Sequence, residues 1–286
     1  MNDNKTSKNS IVAKFAVPIS FLILFFLAAN FTDCDLVTFW KRRSHLTDLV
    51  VDMIPPDFSY IQKILLPLFY TIQMSVTGTV LGTFFALVLS PFGAANLGFP
   101  AVIRRILRIV IQILRSFPAL ILALTATFLF GLGTFAGTFA ITLYTFAIMT
   151  KLTYEDASAA DVKAYQALRA MGVSKYVAYI HGILPEIIPG FLTNALYLLE
   201  TNVRHSSILG YVGAGGIGLL LNEKISWLEY DKVGTILLML FLTVCVIEYF
   251  SRYLAALIRK ERTIKKEQAR LLLLFLAALF LICTFT

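Results

Sequence analysis

Long uncharged runs dominate the chain. The 40 residues between Lys63 and Arg104 and the 35 between Arg115 and Lys151 contain no Asp, Glu, Lys or Arg, and a bilayer core needs about 20 apolar residues per helix. This pattern predicts helices near 11–30, 66–91, 112–131, 134–152, 190–209 and 233–257. Lys14 lies close enough to the end of the first to snorkel, the third and fourth turn tightly at GLGT (131–134), and Glu200 and Arg204 interrupt the fifth. A seventh candidate, 271–286, is short for a span. The polar stretches have a rhythm of their own. Val162, Tyr165, Leu168 and Met171 recur every three residues and predict a helix over 161–171, with Asp161 as N-cap and Gly172 as its stop. Ser174 caps a second short helix, SKYVAYIHGI, running to Leu184–Pro185, so the two form a helix-turn-helix. HLTDLVVDMI (45–54) places Leu46, Leu49, Val50 and Met53 on one face of a helix expected to lie flat at an interface. Pro55–Pro56 ends it and Asp57 caps the next turn.

Composition sets the class. Of 286 residues, 58% are hydrophobic and 15% charged, against about 45–50% and about 25% for soluble domains. The expectation is an all-α, polytopic membrane protein with about six transmembrane helices. Its regions are an anchor and extracytoplasmic segment (1–65), a core (66–257) holding a polar loop at 154–189, and a basic and apolar tail (258–286). Basic residues mark orientation. Lys5, Lys8 and Lys14, then Arg104, Arg105 and Arg108, then Lys151, Lys163, Arg169 and Lys175, then Arg252 to Arg270 fall in alternate segments, which puts the N-terminus in the cytoplasm. Lys41, Arg42, Arg43 and Lys63 run against the rule, so the first crossing is the weakest. The excess of 25 basic over 17 acidic residues is then a topology signal. Basic residues do not interleave with aromatics as single-strand binders require, so no nucleic-acid partner is expected. Without a small-residue cleavage site before a polar mature domain, the N-terminal helix is a retained anchor. Cys34, Cys245 and Cys283, and His45, His181 and His205, are dispersed, a spacing that predicts neither disulfides, a metal site nor a bound cofactor.

YVGAGGIGLLL (211–221) carries Gly213, Gly215, Gly216 and Gly218 as G-x-G-x-x-G. A dinucleotide turn must follow a strand and open the helix of a βαβ unit, whereas this one lies between membrane helices. Glycines at membrane depth fit a re-entrant turn or close packing, here a gate near the extracytoplasmic surface. Gly78 with Gly82, and Gly133 with Gly137, mark tight helix contacts. Glu200 and Arg204 are four apart, on one face and oriented to pair, near the bilayer midplane at 1.5 Å per residue. Charges at such depth face the protein interior or a watered path. Two readings stand: a structural ion pair, or an anion route lined by Glu200, Asn202, Arg204, His205, Ser206 and Ser207, with the guanidinium gripping oxygens in a bidentate contact.

At Ala167, Gly172, Leu184 and Pro185 the sequence resembles the E-A-A-x-x-x-G-x(9)-I-x-L-P loop of bacterial ABC importer permeases. Gln166 stands for the glutamate, Leu168 for the second alanine and Gly182 for the isoleucine. MIPPDFS (53–59), IHGILPEIIP (180–189) and ETNVRHSSILGYVGAGGIG (200–218) are similar to the phosphonate-type permeases of the PhnE family, over about residues 50 to 257. The resemblance implies a type I permease in the bacterial cytoplasmic membrane, carrying phosphonate- or phosphate-type oxyanions. Its partners would be a dimer of ATP-binding subunits, an extracytoplasmic or lipid-anchored binding protein, a second permease copy or paralogue, and lipid. Tyr165, Gln166, Ala167, Ala170, Gly172, Leu184 and Pro185 would dock into the ATPase. The chain has no G-x-x-x-x-G-K-[ST] motif, so ATP would be hydrolysed by another subunit and no catalytic residue is assigned. An ion-coupled carrier using Glu200, or a permease for another small solute such as an amino acid, stand as alternatives. A membrane enzyme is disfavoured, because no His, Asp or nucleophile cluster converges.

Overall fold

A computed structural model describes residues 16, 18–29, 31–32 and 36–260; the candidate helix at 271–286 lies outside them. Two compact units are present, 1–54 and 55–286. The first holds α1 (Pro18–Ala29), α2 (Leu36–Lys41) and α3 (Arg43–Asp52). α1 is apolar, but as described it is shorter than a span. α3 buries none of its residues, the expected stripe of Leu46, Leu49 and Val50 included.

The first element of the second unit is the 3-10 turn Phe58–Tyr60, capped by Asp57, whose Oδ1 accepts from the Ser59 N–H at 3.0 Å. It continues through α4 (Ile61–Gly93), α5 (Ala101–Ser116), α6 (Ala119–Phe130), α7 (Thr134–Ala159), α8 (Lys163–Ala170), α9 (Lys175–Gly182), α10 (Leu184–Leu209), α11 (Ile217–Ser226) and α12 (Tyr230–Lys260). Among the described residues, α4 with its preceding turn, α7 and α12 are each long and apolar enough to cross a membrane. Two bent pairs, α5–α6 at 95° and α9–α10 at 69°, bring the number to five if each is one span.

Four sequence expectations shift here. The stretch 112–131 is not one helix but straddles the α5–α6 elbow. Pro118 has no N–H to continue the helix and holds Phe117 extended, at φ −86° and ψ 126°. α7 runs on to Ala159, so the polar loop expected from 154 begins six residues later. α10 begins at Leu184 rather than 190, because Pro185 sits in its first turn, where the missing N–H would have had no helical partner. The expected boundary at 65/66 falls inside α4.

Glycine brings α4 and α7 together. A Cβ on Gly78 would stand 2.6 Å from Ile141 Cγ2, and one on Gly82 would stand 2.7 Å from Thr145 Cβ. Gly93 meets Tyr154 in the same way. Contacts advance together along both chains, so the helices run parallel. Gly133, by contrast, has nothing within 4 Å of its added Cβ and precedes α7; of that pair only Gly137 is a close approach, 2.8 Å from Met74 Sδ. α10 runs antiparallel and is fastened by polar rungs. Asn202 Nδ2 donates to Thr79 Oγ1 and to Thr145 Oγ1, both at 2.8 Å, and the Ser206 and Ser75 hydroxyls meet at 2.5 Å. Between apolar helices such bonds supply the specificity that apolar contact with lipid-like surroundings lacks.

This arrangement gives the unit two ends. α4 and α7 finish beside α8 and α9, with Arg108 donating to the Gly93 carbonyl at 3.0 Å. α7 begins, about 39 Å away by its rise, beside the glycine turn of 213–216, which meets α4 at Thr71 and Met74.

Candidate functional site

At the first end, α8 and α9 cross with their backbones in contact. A Cβ on Gly182 would lie 2.8 Å from Tyr165 N, which accounts for the glycine where the resembled loop has isoleucine. Tyr165 is 5% exposed and its hydroxyl donates to the Leu97 carbonyl at 2.7 Å. Burial raises its pKa. Around it pack Ala94, Leu97, Ala157, Ala178, Tyr179 and Ile183, so the pair is seated on the ends of α4 and α7. Lys175 donates to the Gly98 carbonyl and Arg169 to that of Val173. Gly172, at φ +85°, ends the helix as expected, and Ser174 Oγ accepts from the Val177 N–H at 3.4 Å.

Three details differ from expectation. The α8 cap position is Val162; Asp161 acts from one residue further out, its Oδ1 accepting the Lys163 N–H at 3.0 Å. Hydrogen bonds from the Lys163 backbone and side chain hold the Asp161 carboxyl below its usual range. Met171, placed by periodicity on the apolar stripe, is 71% exposed. Leu184 and Pro185 open α10 and do not close α9. The predicted docking set therefore divides. Tyr165 faces inward, Gln166, Ala167, Ala170 and Gly172 are exposed, and Met171 joins the exposed group.

The set predicted to line an anion route also divides. Glu200 and Arg204 form the expected ion pair, and Ser207 Oγ donates to the Arg204 carbonyl at 2.6 Å. Asn202 and Ser206 lie about 200° away from Arg204 around the helix at 100° per residue. They are fully buried, and Asn202 Nδ2 and Ser206 Oγ form the rungs to α4 and α7, while Asn202 Oδ1 has no hydrogen-bond partner among the described residues. Glu200, Asn202, Arg204, Ser206 and Ser207 therefore do not all share one face of α10.

At the second end, Gly213, Gly215 and Gly216 have φ of +81°, +79° and +70°, a region L side chains avoid. They reverse the chain between α10 and α11. The Gly133 N–H donates to the Gly213 carbonyl at 2.9 Å and the Ile217 N–H to Thr71 Oγ1 at 2.7 Å. Gly218 closes the hairpin: its added Cβ would stand 2.0 Å from the Ser207 carbonyl oxygen, and one on Gly210 would stand 2.4 Å from Gly218 Cα. No strand precedes this turn among the described residues, so the dinucleotide reading fails on geometry as well. In the last turn of α11, buried Lys224 pairs with Glu229 at 2.9 Å and Glu223 at 3.1 Å and lies 4.2 Å over the Trp227 ring. Burial alone would depress its pKa; the two carboxylates outweigh that and raise it.

Between the ends, the α5–α6 elbow, α7 and α10 enclose an open cavity of about 420 Å³ lined by Arg115, Ser116, Phe117, Tyr144, His205 and Ile208 among others. The sequence used Arg115 merely as the border of an uncharged run, and its partners are too distant along the chain for spacing to reveal them.

Residues 78–263 match the family model for the binding-protein-dependent transport system inner membrane component. The chain is 31% identical over 217 residues to the phosphite transport system permease protein PtxC of Stutzerimonas stutzeri, covering 76% of this chain and 79% of that protein. It is 32% identical over 242 residues to the putative phosphite transport system permease protein HtxC of the same organism, covering 84% and 86%. In structure it resembles the inward-facing MetNI methionine ABC transporter, with a TM-score of 0.62 at 20% identity over 71% of this chain and 99% of that one. That likeness shows the fold, a type I ABC importer permease. The chain is a multi-pass membrane protein and belongs to the family of binding-protein-dependent transport system inner membrane components.

Proposed function

We propose that the chain is the pore subunit of an ATP-driven importer of phosphite-, phosphonate- or phosphate-type oxyanions. The observation that carries this reading is α8: a short helix braced by Tyr165 and Gly182, presenting Gln166, Ala167, Ala170 and Met171 outward. Small exposed side chains let another surface approach closely, and the bracing passes its displacement to the ends of α4 and α7. In this reading an ATPase dimer grips α8 from the cytoplasm, where the basic segments also place the N-terminus. Closure of the ATPases drives α8 and α9. α4, α7 and α10, tied through Asn202 and Ser206, tilt together, and the Gly213–Gly218 hairpin acts as the outer gate beneath a binding protein. The pore is completed by a second copy or a similar permease in a bacterial cytoplasmic membrane. The cargo class follows the relatives, two of which are phosphite permeases by name.

Reconstitution tests this reading. Proteoliposomes holding the chain with an ATPase subunit and a binding protein are expected to take up phosphite or a phosphonate only with ATP. Uptake by the chain alone, driven by a proton or sodium gradient and abolished by Glu200→Gln, would replace it with an ion-coupled carrier.

A further inference from the structure

We propose that the cavity at the α5–α6 elbow is an oxyanion subsite on the transport route, with Arg115 as its cation and His205 and Tyr144 as its hydrogen-bonding groups, while the Ser116 hydroxyl at its wall donates to the Ile113 carbonyl at 2.7 Å. The proposal rests on the oxyanion reading above and deepens it. Four observations carry it. Arg115 ends α5 at the cavity and forms no ion pair with any described residue, whereas Arg204 is already neutralised by Glu200. His205 also lines the cavity, its ring 5.4 Å from that of Tyr144, and its Nδ1 is buried without a hydrogen-bond partner among the described residues. Among the described residues no carboxylate lines the space, so none of them repels an anion within it. Finally, α6 starts here without a side-chain cap, leaving first-turn N–H groups to add partial positive charge.

The chemistry fits a tetrahedral oxyanion bearing a hydrogen or a small organic group. A guanidinium matches two of its oxygens, and Phe117 and Ile208 offer apolar surface to the substituent. At about 420 Å³ the cavity exceeds a bare phosphite, so the anion retains water. Incomplete desolvation keeps binding weak, as a site that must release its cargo requires. His205 lies in the last turns of α10, just before the glycine hairpin, so a tilt of α10 against the elbow would part His205 and Arg115 and release the anion.

The test uses the reconstituted transporter with its ATPase and binding protein. In a chain whose Cys34, Cys245 and Cys283 are serine, Ser116→Cys reports access of a charged thiol reagent, and saturating phosphite is expected to slow its modification several-fold. Arg115→Gln is expected to raise the KM for uptake about 10- to 100-fold, the range for losing a charged hydrogen bond. Arg115→Lys, which keeps the charge but loses the fork, is expected to raise it less, and Arg105→Gln on the same helix to leave it unchanged. Because labelling at residue 116 is read with Arg115 intact, misfolding of the Arg115 variants does not remove the test. Wild-type uptake with no protection by phosphite, or with an unchanged KM in well-folded Arg115→Gln, overturns the subsite. Protection by anionic lipid but not by phosphite also overturns it, assigning the cavity to a headgroup. Failure of the wild type to transport any oxyanion sinks the functional reading instead.

Discussion

The two ends of the permease core are built by different means. The α8–α9 pair crosses backbone to backbone at Gly182, but it is seated on the ends of α4 and α7 by side chains: the Tyr165 ring, Tyr179 and Ile183 fill a common apolar cluster with Leu97. The α10–α11 end is made of backbone against backbone, with Gly210 and Gly218 in contact and three glycines, Gly213, Gly215 and Gly216, at positive φ. Side-chain packing tolerates changes that conserve shape and volume, while a backbone crossing has no space to yield. The end proposed to transmit displacement and the end that reverses the chain thus differ in what substitution they accept.

The largest expected effect comes from adding one methyl group at the second end. Gly218→Ala places a Cβ 2.0 Å from the Ser207 carbonyl oxygen, so α10 and α11 must part. Overpacking typically costs about 1–3 kcal/mol, and with backbone as the obstacle this variant belongs at or beyond the upper bound. The thermal midpoint of the detergent-solubilised chain reads it, and a midpoint equal to wild type would show that the hairpin is not a backbone crossing. Next is Gly182→Ile, which restores the residue of the resembled loop. Its Cβ would meet Tyr165 N at 2.8 Å, yet α8 is short and exposed and can lift away. A cost of about 1–3 kcal/mol is expected, together with ATP hydrolysis that proceeds without uptake; full uptake would separate the α8–α9 contact from coupling. The smallest effect is Tyr165→Phe. It keeps the packed ring and removes the bond to Leu97, for about 0.5–1.5 kcal/mol. A loss as large as that of Gly218→Ala would erase the distinction between the two ends.

Much of this was legible in the sequence and some was not, for identifiable reasons. Uncharged runs found the apolar helices, and caps such as Ser174 and Gly172 found the α8–α9 helix pair, because both are local properties. Hydropathy has no direction, so the run 112–131 hid the 95° elbow that Pro118 sets. The three-residue rhythm from Val162 failed at Met171, since each step turns about 300° and loses about 60°, putting Met171 half a turn away after three steps. The same arithmetic separates Asn202 from Arg204 and was available beforehand. That Asn202 joins Thr79 and Thr145, or that Arg115, Tyr144 and His205 share one cavity, depends on tertiary neighbours that no spacing encodes.

The central claim is that the exposed tip of α8 is held by a separate motor. Crosslinking from Ala170→Cys, in a full transporter otherwise free of permease cysteines, tests it most directly. The account predicts a covalent adduct with the ATPase subunit whose yield changes when ATP is trapped. No adduct under any nucleotide condition, in vesicles that still import oxyanion, would contradict it.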